Sequence, residues 1–351
     1  MCSPLGYSAY LSTFPLQQSM LEGAAGSGAA VFLSLHISEE FGPDYVRRAE
    51  ELCRWLNERQ FRIIADVSVK TVERFGQPDL VKLARRLGLW ALRIDYGFTA
   101  EEIAALADEM PIVVNASTTA PEDGARIAGR GGLVMAMHNF YPRPETGLDD
   151  GFLLESTRAL QAAGLKVLAF VPGDRELRGP LRLGLPTLER HRGGSPYVAF
   201  AELVLRFGMD GVFLADPGLS REEEEPIRRL ARDSVLTLRT LLEPAHKGLY
   251  GREFTCRNDS PAWMVRFAES RTYSCVGNAV EPARTQLRPR GSVTIDNSLY
   301  GRYSGELQLL RQDFPADPRV NVIGRVAERH LPLLDCIKRG GQFALIPPER
   351  T

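Results

Sequence analysis

The sequence predicts an α/β protein: a parallel (β/α)8 barrel of the TIM type over residues 1–233, then a small β-rich domain over residues 234–351. Three observations lead there. Eight short apolar runs, each ending in polar residues, recur through the first two-thirds of the chain with helical patterns between them. The intervals are short enough for single crossover helices, so successive strands run parallel and eight of them favour a closed barrel over an open sheet. Past Asp233 this rhythm stops, and apolar segments bounded by Gly and Asn follow without helical partners. A length of 351 residues, at about 150 per domain, also suggests two domains.

Residues 7–11 form a weak first strand. Residues 29–35 form the second, ending at His36, and residues 61–65 the third, ending at Asp66. Residues 89–94 are the fourth, followed by Asp95, Tyr96 and Gly97; residues 112–114 are the fifth, followed by Asn115. Residues 133–137 are the sixth, followed by His138 and Asn139. Residues 166–171 are the seventh, followed by Pro172, Gly173 and Asp174, and residues 211–215 the eighth, followed by Asp216. Residues 45–56 carry apolar side chains at helical spacing. Residues 101–107 open a helix with Glu101 and Glu102, where the helix dipole favours acids. Residues 152–163 and 198–207 continue the series. The Gly/Ala/Ser-rich residues 23–28 predict a short or irregular first helix. In the second domain, strands are expected at 234–239, 293–295, 305–310, 320–326 and 343–346.

Composition narrows the function classes. A hydrophobic content of 44%, a charged content of 25% and a net charge of −1 describe an ordinary globular protein with no field to draw in nucleic acid or anionic lipid. No apolar run approaches the roughly 20 residues of a membrane span, and no basic-then-apolar leader opens the chain. The five cysteines are scattered, with no CxxC pair or zinc spacing, which predicts reduced thiols in a cytoplasm and no metal or other cofactor. There is no phosphate loop, no dinucleotide fingerprint and no GxSxG elbow. Oligomeric state is not set by the sequence.

In a parallel barrel the strand-end residues His36, Asp66, Asp95, Asn115, His138, Asn139, Asp174 and Asp216 meet at one rim, whatever their separation in sequence. Any one of these aspartates could cap a helix or pair with Arg93. As a set they suit general acid–base or nucleophilic work, or a magnesium-type site, because unpaired carboxylates are costly to bury. The richest stretch is residues 137–147, where His138, Asn139, Tyr141, Arg143 and Glu145 follow a buried strand and Pro142, Pro144 and Gly147 hold the backbone open. Arg143, Arg178 and Arg192 add guanidinium forks, which match phosphate or carboxylate and point to an anionic substrate.

Several of these stretches together resemble the bacterial 6-phospho-N-acetylmuramidases. They are Leu92-Arg93-Ile94-Asp95-Tyr96-Gly97, the run from His138 to Gly147, Phe170-Val171-Pro172-Gly173-Asp174, Arg178-Gly179-Pro180, residues 184–192 and residues 295–308. The resemblance spans nearly the whole chain. It implies a TIM barrel followed by a cyclophilin-like β-domain, and cleavage of the β-1,4 bond of N-acetylmuramic acid 6-phosphate–N-acetylglucosamine during cytoplasmic cell-wall recycling. It places Asp66, Arg93, Asp95, His138, Asn139, Tyr141, Arg143, Asp174 and Asp216 in the barrel site, and Asn297, Arg302, Tyr303 and Glu306 in the second domain's motif. His36, Asn115, Arg178 and Arg192 complete the expected substrate-facing set. Ser12 and Thr13 stand where some relatives carry an acid.

Two function classes follow. The first is a glycosidase acting on a phosphorylated amino-sugar disaccharide with two of Asp66, Asp95, Asp174 and Asp216 as its carboxyl pair. The second is a phosphosugar-binding or sensory protein without turnover, motivated by the altered first loop. A metal-dependent aldolase or isomerase is a weaker third, since fold does not fix chemistry. The polar residues 297–308, set between Gly301 and Gly305, lead to the expectation that the second domain covers part of the site.

Overall fold

The structure, a computed structural model, describes residues 5–35, 37, 40–271 and 279–348. The chain divides into two compact units between Arg228 and Arg229.

The first unit is a closed barrel of eight strands in sequence order: β1 (Gly6–Ala9), β2 (Ala30–Ser34), β3 (Arg62–Val67), β4 (Ala91–Ile94), β5 (Ile112–Asn115), β6 (Val134–Met137), β7 (Lys166–Val171) and β8 (Gly211–Leu214). Every pair is parallel, and β1 closes on β8 through Tyr7 opposite Leu214. All strand C-termini therefore lie on one rim. The helices are α1 (Phe14–Ala24), α2 (Tyr45–Glu58), α3 (Val69–Phe75), α4 (Leu80–Leu87), α5 (Ala100–Ala107), α6 (Pro121–Ala128), α7 (Asp150–Ala162), α8 (Pro196–Ala201) and α9 (Arg221–Asp233).

Local chemistry explains their limits. Thr99 and Glu102 form a reciprocal capping box that starts α5, and Gly88, at φ 67°, ends α4 in the left-handed conformation that glycine adopts without strain. α1 is a regular helix of 11 residues, unlike the short or irregular one expected. Its Gly-rich residues lie at and beyond its end, where Gly26 and Gly28 (φ 71° and 77°) turn the chain into β2. The helix expected over 198–207 starts at Pro196 and gives way to a π-helical turn, Glu202–Arg206.

Phe32, Ile64, Ala91, Val113, Met135, Met137, Leu168, Phe170, Phe213 and Ala215 form one buried cluster. Their spacing of two along each strand marks the inward face of the barrel. Phe170 packs edge-on against Phe32 (5.2 Å between centroids) and against Phe140, just past β6 (5.1 Å).

The second unit is a mixed sheet of seven strands: β9 (Val235–Leu242), β10 (Glu253–Thr255), β11 (Met264–Arg266), β12 (Ser292–Asp296), β13 (Leu307–Leu310), β14 (Val320–Val326) and β15 (Gln342–Ile346). Their spatial order is β10-β15-β9-β14-β12-β13-β11, with β9 and β15 parallel. Val265, Leu309 and Val293 are in register on one face. Arg266, Gln308 and Thr294 are in register on the other. Phe254, Phe267 and Phe343 form an aromatic core, with Phe254 and Phe267 4.8 Å apart.

Candidate active site

The inward parity of the strands continues past their ends and sorts the polar residues. Two positions beyond Ile64, Ala91, Val113 and Met137 come Asp66, Arg93, Asn115 and Asn139, which therefore face the barrel axis. Arg93 is the hub. Its Nη1 donates to Asp66 Oδ1 at 2.6 Å and lies 3.5 Å from Asp95 Oδ1, while Nη2 donates to Asn139 Oδ1. Arg93 and Asp66 are nearly enclosed, whereas the Asp95 side chain keeps 26% of its surface open. Because both aspartate oxygens approach one nitrogen, they stand no farther apart than the sum of the two distances, about 6 Å.

Around this hub, Asn115 Oδ1 accepts from Ser117 N, and Ser117 Oγ meets the Tyr141 hydroxyl at 3.3 Å. Thr187 Oγ1 donates to Asn139 O at 2.9 Å and accepts from Phe170 N, which fixes Asn139 against β7. Tyr96 is 43% exposed beside Asp95 in sequence and adds an aromatic face that the sequence reading did not single out. Glu40 was also missed. Delivered by the loop after β2, it accepts from Ser12 N (3.1 Å) and Ser12 Oγ (2.6 Å), so an acid does reach the loop after β1, from another segment.

Other expected site residues occupy different surroundings. His138 is fully buried, with Nε2 3.3 Å from Thr157 Oγ1 of α7, so it faces the helix layer, and burial depresses its pKa to about 4. Asp216 is also fully enclosed. Its oxygens accept from the backbone N–H groups of Gly173 (2.9 Å), Arg178 (3.0 Å) and Leu185 (3.0 Å). Burial raises its pKa, while the three N–H groups and the Arg178 charge oppose the rise. Asp174 is exposed and accepts from Ser220 N at 2.8 Å, tying the loop after β7 to that after β8. Arg192 spends its guanidinium on two bonds to Glu189 (2.6 and 2.7 Å) and on the carbonyls of Gly184 and Tyr141. Glu189 also accepts from Glu145 N and Gly147 N, and its contact with Arg192 holds its pKa at about 2. Arg190 and His191 of the same motif both bind the buried Glu202.

Arg143 is exposed and has no carboxylate partner among the described residues. Arg178 lies over the Tyr10 ring at 4.4 Å and 6.0 Å from that of Phe140. His36 lies outside the described residues. In the second unit Asn297 is buried, capping Leu299 N and donating to Pro318 O and Asn321 Oδ1. Glu306 is buried in an ion pair with Arg266 at 2.6 Å. Arg302 and Tyr303 form an exposed cation–aromatic pair. Among the described residues no three His, Cys, Asp or Glu side chains are placed to hold a metal ion, and no helix is long and apolar enough to cross a membrane.

Comparison with known proteins agrees with the two-unit architecture. A conserved protein of unknown function from Enterococcus faecalis is 33% identical, with 98% of this chain and 96% of that one covered and a TM-score of 0.82. An uncharacterized B. cereus protein is 25% identical over 99% and 100% of the two chains, with a TM-score of 0.81. No curated protein matches the chain. Residues 5–229 match the N-terminal family model of 6-phospho-N-acetylmuramidase, and residues 236–346 match the C-terminal one. With one model on each unit and an arginine-bridged carboxylate pair at the barrel rim, the chain belongs to the 6-phospho-N-acetylmuramidase family.

Proposed function

We propose that the protein is a glycoside hydrolase that cleaves the β-1,4 bond between N-acetylmuramic acid 6-phosphate and N-acetylglucosamine, as a cytoplasmic step in peptidoglycan recycling. The observation that carries this reading is the cluster of Asp66, Arg93, Asp95 and Asn139. Asp95, the more accessible carboxyl, acts as acid and then base on the glycosidic oxygen and on water. Asp66, held by Arg93, serves as nucleophile or orients the substrate's acetamido group for internal attack. A separation of at most about 6 Å lies below the roughly 6.5–9.5 Å that leaves room for a water in single inversion, so the product keeps its anomeric configuration. Tyr96 and Tyr141 offer amphipathic faces for sugar rings. Cys53 and Cys256 are free and buried, in keeping with a reducing compartment.

The test is incubation with the phosphorylated and unphosphorylated disaccharides, with products followed by mass and the first-formed anomer by NMR. The phosphorylated substrate is expected to be cleaved with retention, and removal of the phosphate to slow cleavage by about a hundredfold, the order of a lost charge-assisted contact. Equal rates on both substrates, or an inverted product, would overturn the reading.

A further inference from the structure

We propose that Arg178 is the receptor for an oxyanion of the substrate, phosphate or carboxylate, and that Asp216 acts through it as a positioning residue. The proposal rests on the glycosidase reading of the same rim. Tyr10 follows β1, is fully buried and donates its hydroxyl to Ala215 O at 2.6 Å. Phe140 follows β6 and packs on the inward side chains Phe32 (6.3 Å) and Phe170 (5.1 Å). The Arg178 guanidinium lies over both rings, so it stands above the barrel interior at the end where Asp66, Arg93 and Asn139 face inward.

The aromatic faces attract the cation but take none of its in-plane N–H groups. Among the described residues no carboxylate oxygen pairs with it and no acceptor takes its side-chain hydrogens, in contrast to Arg192, whose guanidinium is spent on Glu189 and loop carbonyls. The Arg178 side chain is half-buried, where an unmatched charge is costly, and a bidentate oxyanion would complete it. Asp216 is the nearby acid, yet its contact with Arg178 is to the backbone N–H. The same carboxylate holds Gly173 and Leu185, so one enclosed group pins both ends of the loop that presents the arginine.

The experiment measures kcat/KM, and binding by calorimetry, for wild type, Arg178→Met, Arg178→Lys, Asp216→Asn and the double variant Arg178→Met/Asp216→Asn. Three disaccharides are compared: one with phosphate and lactyl carboxylate, one without phosphate, and one without the carboxylate. Arg178→Met is expected to bind and cleave the full substrate about ten- to a hundredfold less well, and its preference for one of the two anions is expected to collapse toward unity. The anion whose preference collapses identifies the source. Arg178→Lys should retain part of that preference, and Asp216→Asn should raise KM more than it lowers kcat while adding little to the loss in the double variant.

Equal losses on all three substrates, no loss, or fully additive effects of the two sites would overturn the proposal. If wild type binds with an anion preference that Arg178→Met lacks but cleaves nothing, the receptor assignment stands and the glycosidase reading falls. If wild type neither binds nor cleaves, both fall.

Discussion

Two sides of the same barrel rim carry acids at strand ends and use them differently. On the side of β3, β4 and β6, Asp66 and Asp95 share the Arg93 guanidinium, and Asn139 accepts its other arm. On the side of β7 and β8, Asp216 has no side-chain cation in ion-pair contact among the described residues and is enclosed by three backbone N–H groups. The first arrangement holds charged groups facing the barrel axis, one of them accessible. The second holds a loop. A carboxylate at a strand end thus faces the barrel axis or staples a loop according to which face of the strand it follows. One residue of offset decides between them, because side chains alternate across the sheet.

Three substitutions sharpen or break this contrast. The largest effect is expected from Asp95→Asn, which should lower kcat by about a hundred- to ten-thousandfold, the range for loss of a positioned acid–base group, with unchanged melting. Near-normal turnover would move the chemistry away from the Arg93 side. Next is Arg93→Met. It leaves Asp66 enclosed without its cation, and breaking such a pair typically costs about 3–5 kcal/mol, to be read from urea unfolding beside loss of activity. Full stability in that variant would mean that Asp66 is solvated and the hub is not a structural unit.

The smallest effect concerns the histidine behind β6. A neutral His138 with a native pKa of about 4, below the ordinary 6.5, contributes stability that is complete above about pH 6.5. It is lost as the pH falls toward about 4, because the unfolded chain takes up the proton first. His138→Gln should therefore make unfolding free energy fall less steeply between pH 6.5 and 4. Buried His330 shares the same direction and will leave a residual slope. An unchanged slope would place His138 in contact with solvent.

The barrel was legible because its eight strands are apolar runs separated by single crossovers, and the structure keeps their order and parallel sense. What the sequence hid was parity. A strand buried on both faces reads as a continuous apolar run, as residues 133–137 do, so the alternation that would separate His138 from Asn139 is erased. The Arg93 cluster could be anticipated as residues, but its closure through one guanidinium could not, because the partners come from β3, β4 and the loop after β6. Glu40 was invisible for a similar reason: its partner, Ser12, lies on another loop. In the second unit the three-residue strands β10 and β11 are too short to carry a period, while β14 was read at its full length.

The Glu189–Arg192 pair binds backbone groups of the 141–147 loop as well as those near Gly184, and Leu148 bridges to Leu188 just beyond it. The two loops are consequently one unit of inheritance for anyone redesigning the protein. Exchanging either alone with a relative would separate these acceptors from their donors, whereas moving both as a cassette carries its own fastening along.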